Sequence, residues 1–264
     1  MSVEDKKKDD YFKEKYSIFS SITGLITFST ILPLNYHTRI EDMAKLTWIW
    51  PFISLGVGLF GFLISYFLFE TLKLSPLLSA IIVYSFLLIF NGFHHIDGLM
   101  DFGDAIMAHG SSQKKIAIMR DSMIGTGAVS LLLIVSLITI GSLNSLLLMK
   151  SFLAIVIGEM SGKIGLITCA ISSKASNDGT GRFFIENMSI SNYIIAILIG
   201  TIISYILLGY VGIFGVLGGM FAGAIVSYLG KKNFKVATGD VLGASNEIAR
   251  MFSFLLMVIA INLI

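Results

Sequence analysis

Three aspartates and a histidine share one face of a predicted helix in an otherwise apolar chain. His94, Asp97, Asp101 and Asp104 are spaced i, i+3, i+7 and i+10, so a helix would present all four side chains on the same side. Carboxylates held this close repel one another unless a cation neutralises them. Carboxylate oxygens without thiolates suit a hard divalent ion, and magnesium commonly bridges them to substrate phosphates. The spacing therefore predicts a magnesium site.

Basic residues follow this acidic face within the next turns of the chain. Lys114, Lys115 and Arg120 supply positive charge for phosphate oxygens, and an arginine can bind such oxygens with two parallel hydrogen bonds. His94 is either a general base or a polar residue bonded to a neighbouring carboxylate. The combination predicts metal-dependent phosphoryl-group transfer.

The elements that must position these groups are membrane helices. Of 264 residues, 55% are hydrophobic and only 14% are charged, whereas soluble proteins carry about 25% charged residues. Several apolar runs reach the roughly 20 residues needed to cross a bilayer. The net charge of +2 is too small to suggest nucleic acid. We therefore predict an all-α, polytopic membrane bundle whose partners are lipid and small molecules, and which is compatible with a homo-oligomer.

The apolar pattern divides the chain into a tail and one membrane-embedded catalytic domain. Residues 1–16 are predicted to be a cytoplasmic tail, and 17–264 to be the domain. The segment 17–34 is short and rich in Ser and Thr, so it is predicted to be interfacial or re-entrant. Seven spans are predicted at 48–69, 76–93, 124–148, 151–171, 190–208, 211–230 and 241–264. The single cysteine, Cys169, is expected to be a small core residue.

The distribution of basic residues predicts the orientation. If 17–34 does not cross, one side of the membrane holds Arg39, Lys45, Lys114, Lys115, Arg120, Lys174, Arg182, Lys231, Lys232 and Lys235. The other side holds only Lys73 and Lys150. Because cytoplasmic loops carry the excess of Lys and Arg, we expect the acidic segment to face the cytoplasm from the cell membrane.

Ionisable residues inside two spans point to further polar sites. Glu159 and Lys163 are spaced i, i+4 and could pair, either as a structural ion pair or with Lys163 reaching an anionic ligand. In the last span Asp240, Glu247 and Arg250 recur at i, i+7 and i+10. Such charges face a cavity or a partner, so Asp240 and Glu247 are expected to face the acidic helix, Asp240 as a further metal ligand and Glu247 as a substrate-binding residue.

The loop 177–187 contains two glycines and Arg182. It fits a flexible flap that closes over a substrate, and it fits a plain solvated turn equally well.

Several segments together resemble the cobalamin synthase family, the adenosylcobinamide-GDP ribazoletransferases. The central resemblance is IDGLMDFGDAI followed by KKIAIMRDSMIGTGAV, and it extends to FSTILPL, WPFISLGVGLFG, EMSGK and TGDVLGASNEIA in the same order. It implies a magnesium-dependent membrane enzyme that joins adenosylcobinamide-GDP to α-ribazole, or to its 5′-phosphate, with release of GMP. Carried over by position, the acidic motif is Asp97, Asp101 and Asp104, the second motif holds Arg120 and Asp121, and the last holds Asp240.

The implied reaction gives the candidate residues distinct roles. Magnesium at the acidic face would bind the pyrophosphate, and Lys114, Lys115 or Arg120 would bind its outer oxygens. Asp121, Asp240 or His94 would accept the proton of the attacking hydroxyl.

Two other functions fit part of the pattern. CDP-alcohol phosphatidyltransferases also cluster Asp on membrane helices, but no Arg follows Asp97 at their spacing. A cation-coupled transporter would carry its carboxylates near the midplane of interrupted helices, whereas these cluster in one predicted cytoplasmic segment.

Overall fold

The structure is a computed structural model that describes residues 18–34 and 38–263. These residues are helical, with one isolated β-bridge between Ala175 and Ala237 and no strand among them. The predicted tail, 1–16, lies outside the described residues. An all-α architecture is therefore confirmed for the part of the chain that carries the predicted spans.

The helices are named here in chain order. They are α1 (Ile18–Ser29), α2 (Ile40–Ala44), α3 (Trp50–Tyr66), α4 (Pro76–Phe90), α5 (His94–Met107), α6 (Ser112–Met119), α7 (Thr126–Leu148), α8 (Ala154–Ile171), α9 (Gly181–Glu186), α10 (Ile190–Asn233) and α11 (Gly239–Leu263). A 3-10 turn, Thr47–Ile49, leads into α3, and a π-helical turn, Phe67–Thr71, extends it.

Five of these helical segments are long and apolar enough to cross a membrane, and a bent pair raises the number to six. The five are Thr47–Thr71, Thr126–Leu148, Ala154–Ile171, Ile190–Asn233 and Gly239–Leu263. They establish a multi-pass membrane protein, while the count of seven spans stays a prediction. Helix α1 has 12 residues within the described part of the chain, which agrees with the predicted interfacial or re-entrant segment.

The bent pair joins α4 to the acidic helix α5. Their axes differ by 93°, and the predicted span 76–93 therefore ends as a helix at Phe90. Both residues at the corner, Gly92 and Phe93, have left-handed backbone with φ of +63° and +58°, which reverses the local helical path. Helix α5 consequently leaves the direction of α4 and runs across the bundle.

The long helix α10 turns back on itself at Leu208 and Gly209. Gly209 has φ +57° and ψ −137°, a conformation that an L side chain resists. Beyond the break, Gly212 lies against the backbone of Ser204, which a straight helix would not allow. In the second half, Gly215, Gly219 and Gly223 lie against Ile157, Ser161 and Gly165 in turn, so this half runs parallel to α8.

Helix α8 forms the centre of the bundle. All its residues from Ala154 to Ala170 are buried, and it packs against α3, α10 and α11. Cys169 is fully buried there, as expected of a core residue. A central helix without a lipid-facing side can hold charged residues only if neighbouring helices pair them.

Candidate active site

Close backbone contacts place α5 against the first turns of both α7 and α11. A Cβ atom on Gly98 would lie 2.9 Å from the backbone of Asp240, and one on Gly103 would lie 2.7 Å from the carbonyl oxygen of Gly127. Residues without side chains let helices approach this closely in a membrane protein. The acidic face of α5 is thereby brought to the N-terminal ends of two other helices.

The predicted acidic residues come together at this junction. Asp101, which is half-buried, experiences electrostatic repulsion from Asp97, Asp104 and Asp240. Asp240 is half-buried in the first turn of α11 and accepts a hydrogen bond of 3.2 Å from the Thr238 hydroxyl. The predicted approach of Asp240 to the acidic helix is therefore found. Within residues 18–34 and 38–263, no three Asp, Glu, His or Cys side chains lie close enough together to bind one metal ion.

Asp104 has a different environment from the other acidic residues. Its two carboxylate oxygens accept hydrogen bonds from the backbone N–H groups of Gly125, at 2.6 Å, and Ala128, at 2.8 Å. It thereby satisfies free donors at the N-terminus of α7, where the helix dipole also favours a negative charge. Asp104 therefore holds α5 on α7, and its predicted role as a metal ligand stays a prediction.

A cavity of about 480 Å³ opens beside Asp97 and Asp240. Its lining comprises Thr27, Phe28, Ser29, Trp50, His94, His95, Asp97, Leu166, Thr180, Gly181, Phe184, Gly239, Asp240, Leu242 and Gly243. The volume falls within the range of about 300–1,000 Å³ typical of ligand sites. Among the predicted catalytic residues, His94, Asp97 and Asp240 line this cavity.

Arg120 is held at the edge of this region by an ion pair with Asp178. Its guanidinium donates two hydrogen bonds, of 2.9 and 3.1 Å, to the two carboxylate oxygens. These bonds raise the pKa of Arg120 and lower that of Asp178. Asp240 is also close enough to Arg120 for an electrostatic attraction. The pair connects the end of α6 to the loop that precedes α9.

The predicted lysines lie farther from the cavity. Lys115 Nζ donates a hydrogen bond of 2.7 Å to Asn233 Oδ1 and so joins α6 to the end of α10. Lys114 is exposed on α6. Neither lysine lines the cavity. In this structure the two side chains therefore add positive charge outside the cavity and would not contact a ligand inside it.

The predicted flap is partly a short helix. Thr180 and Gly181 line the cavity, but Arg182 donates to the carbonyl oxygen of Asn177 at 2.7 Å and lies 3.8 Å from Glu186.

Asp121 is exposed and accepts a hydrogen bond from the backbone of Met123 at 3.1 Å. Arg182 and Asp121 do not line the cavity in this conformation.

Glu159 pairs with Arg250 and not with Lys163, so the structural ion pair considered for Glu159 and Lys163 is not formed. Arg250 Nε lies 2.5 Å from Glu159 Oε1, and its Nη1 donates to Glu247 Oε2 at 2.6 Å, so one guanidinium bridges two buried carboxylates. All three side chains are about 1% exposed. Glu247 was predicted to face the acidic helix and to bind substrate, but it is fully engaged in this buried group. The i, i+4 spacing did not reveal the stronger partner, which comes from another helix.

Lys163 instead contacts His95. Lys163 Nζ lies 2.5 Å from His95 Nε2 and 3.0 Å from Asn246 Oδ1, and it lies over the Trp50 ring. The tautomer of His95 decides which of the two nitrogens donates the proton in this contact. His95 lines the cavity. Lys163 therefore acts on the cavity wall through His95, and the buried lysine was the signal that a partner had to exist.

Comparison with known proteins identifies the family. A family model described as cobalamin-5-phosphate synthase matches residues 21–258. The chain belongs to this family. It is therefore an enzyme of cobalamin biosynthesis, a transferase embedded in a membrane, and the match includes every residue assigned above to the cavity. The family accounts for the acidic cluster better than a CDP-alcohol phosphatidyltransferase or a transporter does.

Three relatives share the name adenosylcobinamide-GDP ribazoletransferase. The relative from Methanococcoides burtonii is 30% identical, with 89% of this chain and 90% of that protein covered. The relative from Clostridium tetani is 32% identical, with 89% and 94% covered. The relative from Thermococcus kodakarensis is 30% identical, with 89% and 96% covered. No solved structure matches the chain.

Proposed function

We propose that this family member joins adenosylcobinamide-GDP to α-ribazole, or to its 5′-phosphate, in a magnesium-dependent reaction that releases GMP. The observation that carries the proposal is that Asp97 and Asp240, from different helices, border one cavity large enough for a nucleoside. We infer the substrates from the name of the relatives, adenosylcobinamide-GDP ribazoletransferase. The reaction forms a bond between a ribose hydroxyl oxygen and the phosphorus attached to aminopropanol, and it breaks the bond from that phosphorus to GMP.

The donor set fits a magnesium ion. Asp97, Asp101 and Asp240 offer oxygen ligands without thiolates, which is the set that this ion prefers. Their mutual repulsion would be relieved by a divalent cation. Bound there, the ion would neutralise charge on the pyrophosphate. Asp104 would keep α5 in place through its bonds to Gly125 and Ala128.

The chain's own residues divide the remaining tasks. His94 is exposed, lines the cavity and lies one turn before Asp97, so it is our candidate to accept the hydroxyl proton. Arg120 would bind outer phosphate oxygens with the same two donors that now contact Asp178. Lys114 and Lys115 would attract the anionic substrate from the rim of the site.

The decisive experiment measures GMP release by the purified protein in detergent. With adenosylcobinamide-GDP and α-ribazole, we expect GMP and a corrinoid product only when magnesium is present. Parallel reactions with α-ribazole and its 5′-phosphate, compared by kcat/KM, identify the preferred acceptor. Release of GMP that is equally fast without either acceptor, or after chelation of magnesium, would reject the proposal.

We further propose that the site faces the cytoplasm from the cell membrane. The basic residues of the loops support this orientation. Cys169 is fully buried, so a Lys232→Cys variant carries one reactive thiol. We expect an impermeant thiol reagent to label it in inside-out vesicles and not in intact cells, and labelling in intact cells would reverse the orientation.

A further inference from the structure

The cavity has two chemically different halves. Asp97, Asp240 and His94 border one half, and the aromatic residues Phe28, Trp50 and Phe184 border the other. The proposed function uses only the acidic half. The aromatic half is therefore a built surface without an assigned role.

The three aromatic rings form one continuous wall. The ring centroids of Phe28 and Phe184 are 5.1 Å apart, those of Trp50 and Phe184 are 5.0 Å apart, and those of Phe28 and Trp50 are 6.0 Å apart. Trp50 is 3% exposed and Phe184 is 1% exposed, so neighbouring residues hold both rings in place. Phe28 is half-buried and presents the more accessible ring. Phe28 is therefore the ring on which an aromatic base can stack, and Trp50 and Phe184 support it from behind, tilted to it by 56° and 31°.

We infer that this wall binds the aromatic base of the acceptor nucleoside, α-ribazole. The inference rests on the proposed function and assigns a position to one of its two substrates. The base would stack in the aromatic half, and the ribose would then extend toward Asp97, Asp240 and His94. This direction places the attacking hydroxyl at the acidic end, where the phosphorus must be.

Size separates the acceptor from the corrinoid. A volume of about 480 Å³ holds a nucleoside, whereas a corrin ring with its side chains and adenosyl group is several times larger. Only the diphosphate end of adenosylcobinamide-GDP could enter this space. The remaining choice for an aromatic occupant is therefore between the acceptor base and the guanine of the donor.

Polarity favours the acceptor base over guanine. Guanine carries several donors and acceptors on its edges, and each would lose free energy if it were buried without a partner. The neighbouring Leu166 and Leu242 offer no hydrogen-bonding group, and the hydroxyls of Thr27 and Ser29 already donate to backbone carbonyls at 3.0 and 2.7 Å, so they cannot donate to the acceptor atoms of guanine. The benzimidazole base of α-ribazole has no N–H donor and a single free ring nitrogen. It is the better match to an aromatic and aliphatic wall.

Fluorescence tests the binding directly, because the chain has only two tryptophans. Trp48 is partly buried outside the cavity, so Trp48→Phe leaves Trp50 as the only indole. Titration of this variant with α-ribazole alone should quench its fluorescence saturably, and GMP should not. Saturable quenching by GMP with none by α-ribazole would assign the wall to guanine and overturn the inference. Absence of quenching by both GMP and α-ribazole would also overturn the inference.

Kinetics provide the second test. Phe28→Leu and Trp50→Phe keep an apolar side chain while removing or shrinking a ring, and we expect each to raise the KM for α-ribazole about ten-fold. The KM for adenosylcobinamide-GDP should stay unchanged, and Trp48→Phe should leave both constants unchanged. Equal effects on both substrates, or none, would reject the subsite. Absence of GMP release by the wild-type protein would instead reject the proposed function. Quenching by α-ribazole would in that case still show that the aromatic wall binds this nucleoside.

Discussion

Arg120 and Asp178 form a two-bond ion pair across two loops, at 2.9 and 3.1 Å. Both residues are exposed, with 47% and 66% of their side chains accessible, so the pair itself adds little stability. Its geometry matters more, because the same two donors suit a phosphate. The arginine would be held at the edge of the cavity until a substrate phosphate replaces the carboxylate.

Substitutions of Asp178 and of Arg120 should have opposite effects on the kinetics. Asp178→Asn keeps the shape but removes the competing charge, so the KM for adenosylcobinamide-GDP should stay the same or fall. Arg120→Lys keeps the charge but loses the paired donors, so kcat should fall by about ten-fold or more. Steady-state GMP release measures both variants. A fall in kcat for Asp178→Asn equal to that of Arg120→Lys would show that the pair is needed intact.

Asp97 and Asp104 should separate into a catalytic and a structural residue. Asp97→Asn should reduce GMP release by more than about 100-fold, without lowering the melting temperature, because Asp97 is exposed at the cavity. The measurement combines turnover with thermal unfolding followed by circular dichroism. Turnover near that of the wild type would remove Asp97 from the proposed metal site.

Asp104→Ala should lower stability instead. It removes the acceptor for Gly125 and Ala128, and loss of such a helix cap costs about 0.5–2 kcal/mol. Thermal unfolding in detergent should show a decrease of a few degrees. Asp121→Ala is the matched control, because Asp121 is exposed and its side chain accepts one local hydrogen bond. Equal stability of the two variants would contradict the capping role.

The bridge between Glu159 and Glu247 should depend on Arg250. Arg250→Met leaves two carboxylates buried and unpaired, and breaking a buried pair typically costs about 3–5 kcal/mol. Adding Glu159→Gln and Glu247→Gln to this variant should recover part of the loss, because no unpaired carboxylate then remains. Chemical unfolding in mixed micelles compares the three proteins. A triple variant less stable than Arg250→Met alone would contradict this interpretation.

Lys163 should influence the reaction only through His95. Lys163→Met removes the hydrogen-bond partner of Nε2 and frees the imidazole to rotate, so kcat should fall. His95→Ala should have a similar effect, and the double variant should lose no more than either single variant. Additive losses in a double-mutant cycle would mean that the two side chains act independently.

The sequence predicted the parts of this molecule that depend on local pattern. The helical spacing of Asp97, Asp101 and Asp104 and the apolar runs placed the acidic helix and its neighbours correctly. It did not predict that Asp104 caps α7, because that contact joins residues 21 and 24 positions apart. The partner of Glu159 lies 91 positions away, and nearest-neighbour spacing suggested Lys163 instead. The aromatic wall was missed for the same reason, since its rings come from α1, α3 and α9.

The contribution of α1 has a mechanical consequence. This short helix carries Phe28 into the cavity, while Ile18 and Phe19 near its other end are 58% and 62% exposed. We expect these side chains to insert at the boundary between headgroups and acyl chains, so that the depth of α1 follows the thickness of the surrounding lipid. The width of the cavity beside Phe28 would then depend on the bilayer, and turnover in nanodiscs should change with acyl-chain length.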